Sequence, residues 1–375
     1  MRRRSGRRWA APRGQRGVAL IIALVLVALA TILATKLSYD GWLERRRTMG
    51  ILASEQALHF GMGAEALAAD VLSQSSSNNP LANAQALSQS PSANAGQQVT
   101  LAQAWAQPTQ PLPITPDDNA EGEPIGTLQG ALEDMQGRFN LNNLAHLVQA
   151  ATQPGAPPVS GSVLVNSGPQ GATQRMQPDP QPLLQFQRLL VSLGLEPKWA
   201  AMARDWITST DQPSSPDGAK DAVYTAQTPP YRTGEWPMMS PSELMNLPGF
   251  GADRYRKIAP YVTALPAYTK INICTAPGLV IESLADGLSG EYSNNQELLV
   301  NSRKAGCFPE PQAFTNILSG LPGKPAAASI PWTTTSSYFR LTTHVTLGTT
   351  EFTLYSLLYQ ANGKVTPLLR TFGTL

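Results

Sequence analysis

Cys274 and Cys307 are the two cysteines among 375 residues, about 33 positions apart. Such a pair can close a loop as a disulfide worth roughly 2–4 kcal/mol where the compartment is oxidising. Elsewhere the two remain separate buried thiols. No other residue type recurs at a spacing that builds a catalytic site. His59, His146 and His344 are the three histidines, too few and too dispersed for a metal cluster or an acid–base arrangement. His59 falls in a long helical pattern, where it is expected to face outward, and His344 in an alternating strand pattern. No G-x-S-x-G, H-E-x-x-H or phosphate-cradling glycine motif occurs. The residues therefore read as those of a protein that is not an enzyme.

One stretch has the makings of an anion site. Leu247-Pro248-Gly249-Phe250-Gly251, followed by Arg254, Arg256 and Lys257, has the form of a helix–hairpin–helix unit. In a nucleic-acid-binding version the glycine turn would offer backbone N–H groups to a phosphate and the cations would add salt-dependent attraction. The same turn serves equally as scaffold, letting two helices pack closely. Charge favours scaffold. The chain has 28 basic and 26 acidic residues, but seven arginines (Arg2, Arg3, Arg4, Arg7, Arg8, Arg13 and Arg16) lie in the first sixteen positions. Without that arm the body is net acidic, so no nucleic-acid partner is expected.

Directly after the arm, Gly17 to Thr35 carries no charge. Eighteen helical residues, Val18 to Thr35, reach roughly 27 Å, close to the hydrocarbon thickness of about 30 Å. The backbone there must be helical, because lipid offers its polar groups no partner. The unbroken basic arm should stay cytoplasmic and the large remainder should cross. A cleaved signal peptide is the rival, kept open by the small residues Ala28, Ala30 and Ala34. Against it, the helical pattern continues without proline to about Asp70, which suits a stem. An exported body favours the Cys274–Cys307 bridge over two thiols.

These features must be positioned by the following elements. Residues 1–17 form the basic arm, 18–35 the span and 36–72 a helical stem. Residues 73–150 read as a Ser/Asn/Gln/Pro-rich connection with an embedded short helix and the start of a scaffold, where Asn143 could cap a helix from Leu144. Residues 151–181 are a Pro/Gly/Ser-rich loop. Residues 182–265 read as a helical unit: Leu183, Phe186, Leu189, Leu190 and Leu193 share one face, Gly194 ends that helix, and Trp199, Met202 and Trp206 mark the next. Ser240, Pro241 and Glu243 form a helix start with capping-box spacing. In 266–325 an extended piece precedes a helix expected to begin near Thr275. Residues 326–375 change period, predicting antiparallel strands near 337–347, 350–360 and 364–370. The class is α+β: a long transmembrane and stem helix, an antiparallel β scaffold and a large inserted helical domain.

At this level of detail the chain resembles a known family, the K-type minor pseudopilins of type II (general) secretion systems. The resemblance covers nearly the whole length. It is carried by Arg16-Gly17-Val18, DWI at 205–207, GAKDAVY at 218–224, PPYR at 229–232, SEL at 242–244 and INICTA at 271–276, in that order. It implies a pilin-like β scaffold and a prepilin leader cut by the prepilin peptidase between Gly17 and Val18, with Val18 the N-methylated terminus. Most pseudopilins carry a glutamate five residues into the mature chain. Ile22 stands there in this sequence, a departure typical of the K subunit and fitting a tip position. The resemblance further implies I- and J-type minor pseudopilins as partners, together with the inner-membrane assembly platform and contact with exported proteins. The implied role is to cap and help initiate a periplasmic pseudopilus, with priming of surface type IV pili as the alternative. It also implies calcium in the loop after DWI, with Asp211, Asp217 and Asp221 as ligands. There the chain departs from the pattern: Thr208 and Thr210 occupy usually acidic positions and Lys220 reverses another. A loop held by hydrogen bonds and by packing of Tyr224 or Trp206 is the alternative to a metal site.

Overall fold

The computed structural model describes residues 16–77, 98–115, 123–149, 163–166, 173–285, 295–303, 306–308, 311–320 and 331–373. The arginine arm before Arg16 and most of the 151–181 loop lie outside them.

Helix α1 (Arg16–Ser77) is uninterrupted, as its lack of proline allows, and it extends five residues beyond the expected stem. Its large apolar side chains from Val18 to Leu52 are mostly exposed, whereas Ala57, Ala64, Ala68 and Leu72 are buried. Their successive spacings of seven, four and four residues put them on one helical face, a stripe of mostly small side chains that lets the helix lie close against a sheet.

That sheet begins with β1 (Leu112–Ile114) and β2 (Gly126–Asp134). The chain then leaves it for a long excursion. Short strands β3 (Phe139–Asn140), β4 (Leu147–Gln149), β5 (Val163–Asn166) and β6 (Thr173–Pro178) lead into helices α2 (Pro180–Ser192), α3 (Lys198–Ile207), α4 (Asp221–Tyr224) and α5 (Gly251–Ile258). Strands β7 (Val262–Thr263) and β8 (Ile271–Asn272), helices α6 (Gly278–Glu282), α7 (Asn295–Asn301) and α8 (Pro311–Ser319), and strand β9 (Trp332–Thr333) complete the excursion. The chain returns as β10 (Tyr338–Leu347), β11 (Thr350–Ala361) and β12 (Lys364–Phe372). The sheet order is β1-β2-β10-β11-β12, antiparallel throughout. In β10 alternate residues Phe339, Leu341, Thr343, Val345 and Leu347 are buried, the period-two pattern of a strand with one covered face.

The excursion folds around one core. It joins Phe139, Leu141 and Leu144, the α2 face Phe186, Leu189 and Leu190, most of α3, and Ile273, Ile281, Leu299, Phe314 and Leu318. It therefore runs across the expected boundary at 265/266: the helical unit and the cysteine-bearing segment bury a common interior.

Register fixes how this body sits on the stem. Ala57 packs with Val345 and Leu347, whereas Ala64, Ala68 and Leu72 pack with Phe339, Leu341 and Leu358. The stem thus climbs β10 from its C-terminal to its N-terminal end. Asp134 and Phe339 face each other across β2 and β10, so the chain departs and returns at the end reached last. The helical body crowns the sheet at the end far from the apolar segment.

Several local expectations are corrected. Asn143 does not cap a helix from Leu144. A 3-10 turn spans Leu141–Ala145, its N-cap is Asn140, and Asn143 instead bonds Thr269 through both side-chain atoms. The helix expected near Thr275 starts at Gly278, because the Thr275 hydroxyl donates to Asp134 instead of capping. The Ser240 start has its capping box with Glu243, but the turn it opens, Pro241–Asn246, is 3-10. Between Gln98 and Thr115 the only helical piece is the 3-10 turn Ala104–Ala106.

Candidate functional site

Gly17 and Val18 lie in the first turn of α1. Val18, Leu20, Ile21 and Ile22 are exposed, as lipid-facing residues of a lone span would be. Among the described residues this is the one helix long and apolar enough to cross a membrane.

The segment after α3 brings the DWI and GAKDAVY motifs together. The last carbonyls of a helix lack partners within it, and here three of them find a donor from later in the chain. The Arg204 carbonyl accepts from the Thr208 hydroxyl at 3.1 Å and the Trp206 carbonyl from the Glu235 N–H at 2.8 Å. The Asp205 carbonyl accepts from Lys220 Nζ at 2.6 Å, and the same ammonium donates to the Thr208 carbonyl. Lys220 is itself only 5% exposed. Burial lowers its pKa, opposed by Asp205, Glu235, Asp221 and Asp211. The Asp205 carboxylate is buried and accepts the Ser214 N–H on both oxygens at 3.1 Å; burial raises its pKa despite these bonds.

The three expected metal ligands do not converge. Asp211 and Asp217 are exposed. Asp221 turns away, accepting the Thr233 N–H and hydroxyl at 3.1 and 2.9 Å, bonds that hold its pKa below the usual carboxylate value. Among the described residues no group of three or more His, Cys, Asp or Glu side chains is gathered to hold a metal. The oxygens facing one another in this loop are the Asp205 and Thr208 carbonyls, and an ammonium lies on them. The residues present do not fit a calcium shell of six to eight oxygens. Packing completes the loop: Tyr224 is buried between Trp206 and Tyr231, and Trp206 Nε1 donates to Glu243 at 3.2 Å.

Cys274 and Cys307 are joined in a disulfide with 4.5 Å between their Cα atoms, inside the core of the helical body. Two residues before Cys274, Asn272 is fully buried; its amide donates to the Val99 carbonyl, Asp134 and Ser336. Asp134 also accepts from Thr275, Ser336 and the Gln136 N–H. This knot ties the end of β2 to the helical body. Burial pushes the Asp134 carboxyl above its usual range.

In the hairpin, Gly249 has φ +83°, a conformation open to glycine. Arg254 donates to the Gly249 and Phe250 carbonyls at 2.8 and 3.0 Å and lies over the Trp199 ring. Arg256 pairs with Asp253. Arg254 thus braces the turn. The histidines are scattered: His59 is exposed, His146 contacts Asp179 at 3.2 Å, and His344 contacts Thr353 at 3.0 Å.

Four residues of weight carry little signal in the sequence. Asp205 lies within DWI and Asn272 within INICTA. Asp134 and Glu65 had no motif, although an acid within the small-residue stripe from Ala57 to Leu72 was a signal for Glu65.

The sequence profile of the family described as type II secretion system (T2SS), protein K, matches residues 137–267. The type II secretion system protein K of Aeromonas hydrophila is 30% identical over 96% of this chain and 97% of its own. That of Klebsiella pneumoniae is 31% identical over 96% and 95%. The chain belongs to the type II secretion system protein K family. Its fold also matches a chain in the crystal structure of the GspK-GspI-GspJ complex from enterotoxigenic Escherichia coli. That match has a TM-score of 0.61 at 22% identity and covers 88% of this chain and 100% of that one.

Family membership makes this a non-enzymatic minor pseudopilin of protein secretion, anchored in the inner membrane by a single pass. The pilin-like scaffold with a helical insertion stands, and the alternative of a type IV pilus minor pilin gives way to it.

Proposed function

We propose that this chain caps the tip of a periplasmic pseudopilus, joins I- and J-type minor pseudopilins there, and helps start the filament. One observation carries the reading: the helical body crowns the sheet at the end far from the membrane span, where it would block addition of a further subunit above it. Ile22 supports it, since a subunit with nothing above has no neighbouring terminus to pair. An unpaired carboxylate at that depth would cost several kcal/mol. The fold match to a chain crystallised in a GspK-GspI-GspJ complex supports the choice of partners.

Cleavage after Gly17 by the prepilin peptidase, methylation of Val18, insertion through the assembly platform and contact with exported proteins complete the proposed cycle. The test is to co-express the full chain with the peptidase and the system's I- and J-type subunits, extract with detergent, and purify through a tag on this chain. Intact-mass analysis reads the terminus. A co-purifying complex with a methylated chain beginning at Val18 is expected. Failure to associate with both partners, or a different mature start, overturns the proposal.

A further inference from the structure

The α3–α4 loop does what a metal-bound loop does, holding an irregular segment against a helix end, and it does so with a side chain. We propose that the Lys220 ammonium is the resident cation of this loop, a tethered charge in the role expected of calcium, so that the loop is ordered without divalent metal.

Three observations support this. First, the acceptors are taken. Lys220 Nζ holds the Asp205 carbonyl at 2.6 Å and the Thr208 carbonyl as well, and carbonyl oxygens of this kind are what calcium would recruit. Second, the carboxylates are committed or exposed. Asp205 receives Ser214 on both oxygens, Asp221 receives Thr233 twice, and Asp211 and Asp217 are exposed. Third, the charge is balanced in place. Asp205, Glu235, Asp221 and Asp211 all attract the ammonium, and the positive charge sits at the C-terminal end of α3, where the helix dipole favours a cation. A divalent ion approaching the same carbonyls would meet like-charge repulsion from a buried ammonium in a region of reduced dielectric. Thr208 fits the arrangement too: its hydroxyl bonds the Arg204 carbonyl, a use that an acid there would not serve.

This inference is independent of the tip assignment, since it concerns what orders the loop. The test uses the full chain in detergent, comparing wild type with Lys220→Met. Thermal unfolding and limited proteolysis between residues 208 and 235 are followed with added calcium and with EGTA, and metal bound to the purified wild type is measured by mass spectrometry. Wild type is expected to show the same Tm and cleavage rate in both conditions and no stoichiometric calcium. Lys220→Met is expected to be cut in the loop about tenfold faster or more in either condition, the scale set by losing charged hydrogen bonds that hold the loop closed. A wild-type Tm that falls on chelation, stoichiometric calcium, or wild-type cleavage rates in Lys220→Met would each overturn the proposal. Should Lys220→Met fail to fold, the wild-type metal content and chelator response still decide it.

Discussion

Arg370 of β12 grips Glu65 of the stem helix with two parallel hydrogen bonds, Nε to Oε1 at 2.8 Å and Nη2 to Oε2 at 2.7 Å. Ser356 of β11 adds a third at 2.5 Å to Oε1. The Glu65 side chain is 6% exposed and that of Arg370 44%. A carboxylate brought under the sheet by the small-residue stripe is thereby paired, and α1, β11 and β12 are fixed together at one point. The fork geometry matters, because a guanidinium matches a carboxylate with two bonds at once.

Removing the arginine should therefore hurt more than a surface ion pair would. Arg370→Ala is expected to lower stability by about 2–3 kcal/mol, below the usual figure for a broken buried pair because Arg370 is partly exposed. Arg370→Lys should recover only part, since one ammonium cannot make the fork. Denaturant unfolding of the detergent-solubilised chain reads both; a loss within about 0.5 kcal/mol for the alanine variant would show that the pair contributes no more than a surface one.

Asp134 should make stability fall with rising pH. Its folded pKa is raised above the reference 3.8 by burial, so the folded chain holds that proton more tightly than the unfolded chain. The group's contribution is fully present below the unfolded value and is lost as pH rises through the folded one. Measured against Asp134→Asn, which does not titrate there, the wild type is expected to lose relative stability from about pH 4 upward and then level off. A difference that is flat with pH, or that grows as pH rises, contradicts the assignment.

Breaking the bridge by Cys274→Ser or Cys307→Ser should cost about 2–4 kcal/mol. The two variants should be equally affected, and a reductant should lower the wild-type Tm towards theirs. Both cysteines belong to the core of the helical body, so added protease cleavage is expected there first, with the α1–sheet contact retained.

Gly218 is a place where no side chain fits. A Cβ there would lie 2.0 Å from Asp205 Oδ2 and 3.1 Å from the Ser215 carbonyl. Gly218→Ala is expected to cost about 1–3 kcal/mol by overpacking and to speed proteolysis of the same loop that Lys220 holds. Unchanged cleavage would mean that the Asp205 carboxylate can move aside freely.

The anchor, the stem and the C-terminal strands were legible in the residues because each rests on local periodicity. An uncharged run of eighteen residues, a proline-free helical pattern and alternation around Gly348 and Asn362-Gly363 need no distant partner to be recognised. The fold class followed from their order. The capping box at Ser240 and the α2 face were legible for the same reason, since caps and helical faces span one or two turns.

What local patterns could not reach was which distant groups meet. Thr275 carries a capping residue's chemistry, yet its hydroxyl goes to Asp134, 141 positions away, so the helix begins later. Asn143, Asn272 and Glu65 bond across 126, 138 and 305 positions, separations no spacing rule addresses. The acidic loop makes the same point most sharply. Its composition allowed a metal shell, but the fold turned Asp221 toward Thr233 and laid Lys220 on the α3 carbonyls. Burial and pairing, which depend on the whole chain's packing, decide what a charged side chain does.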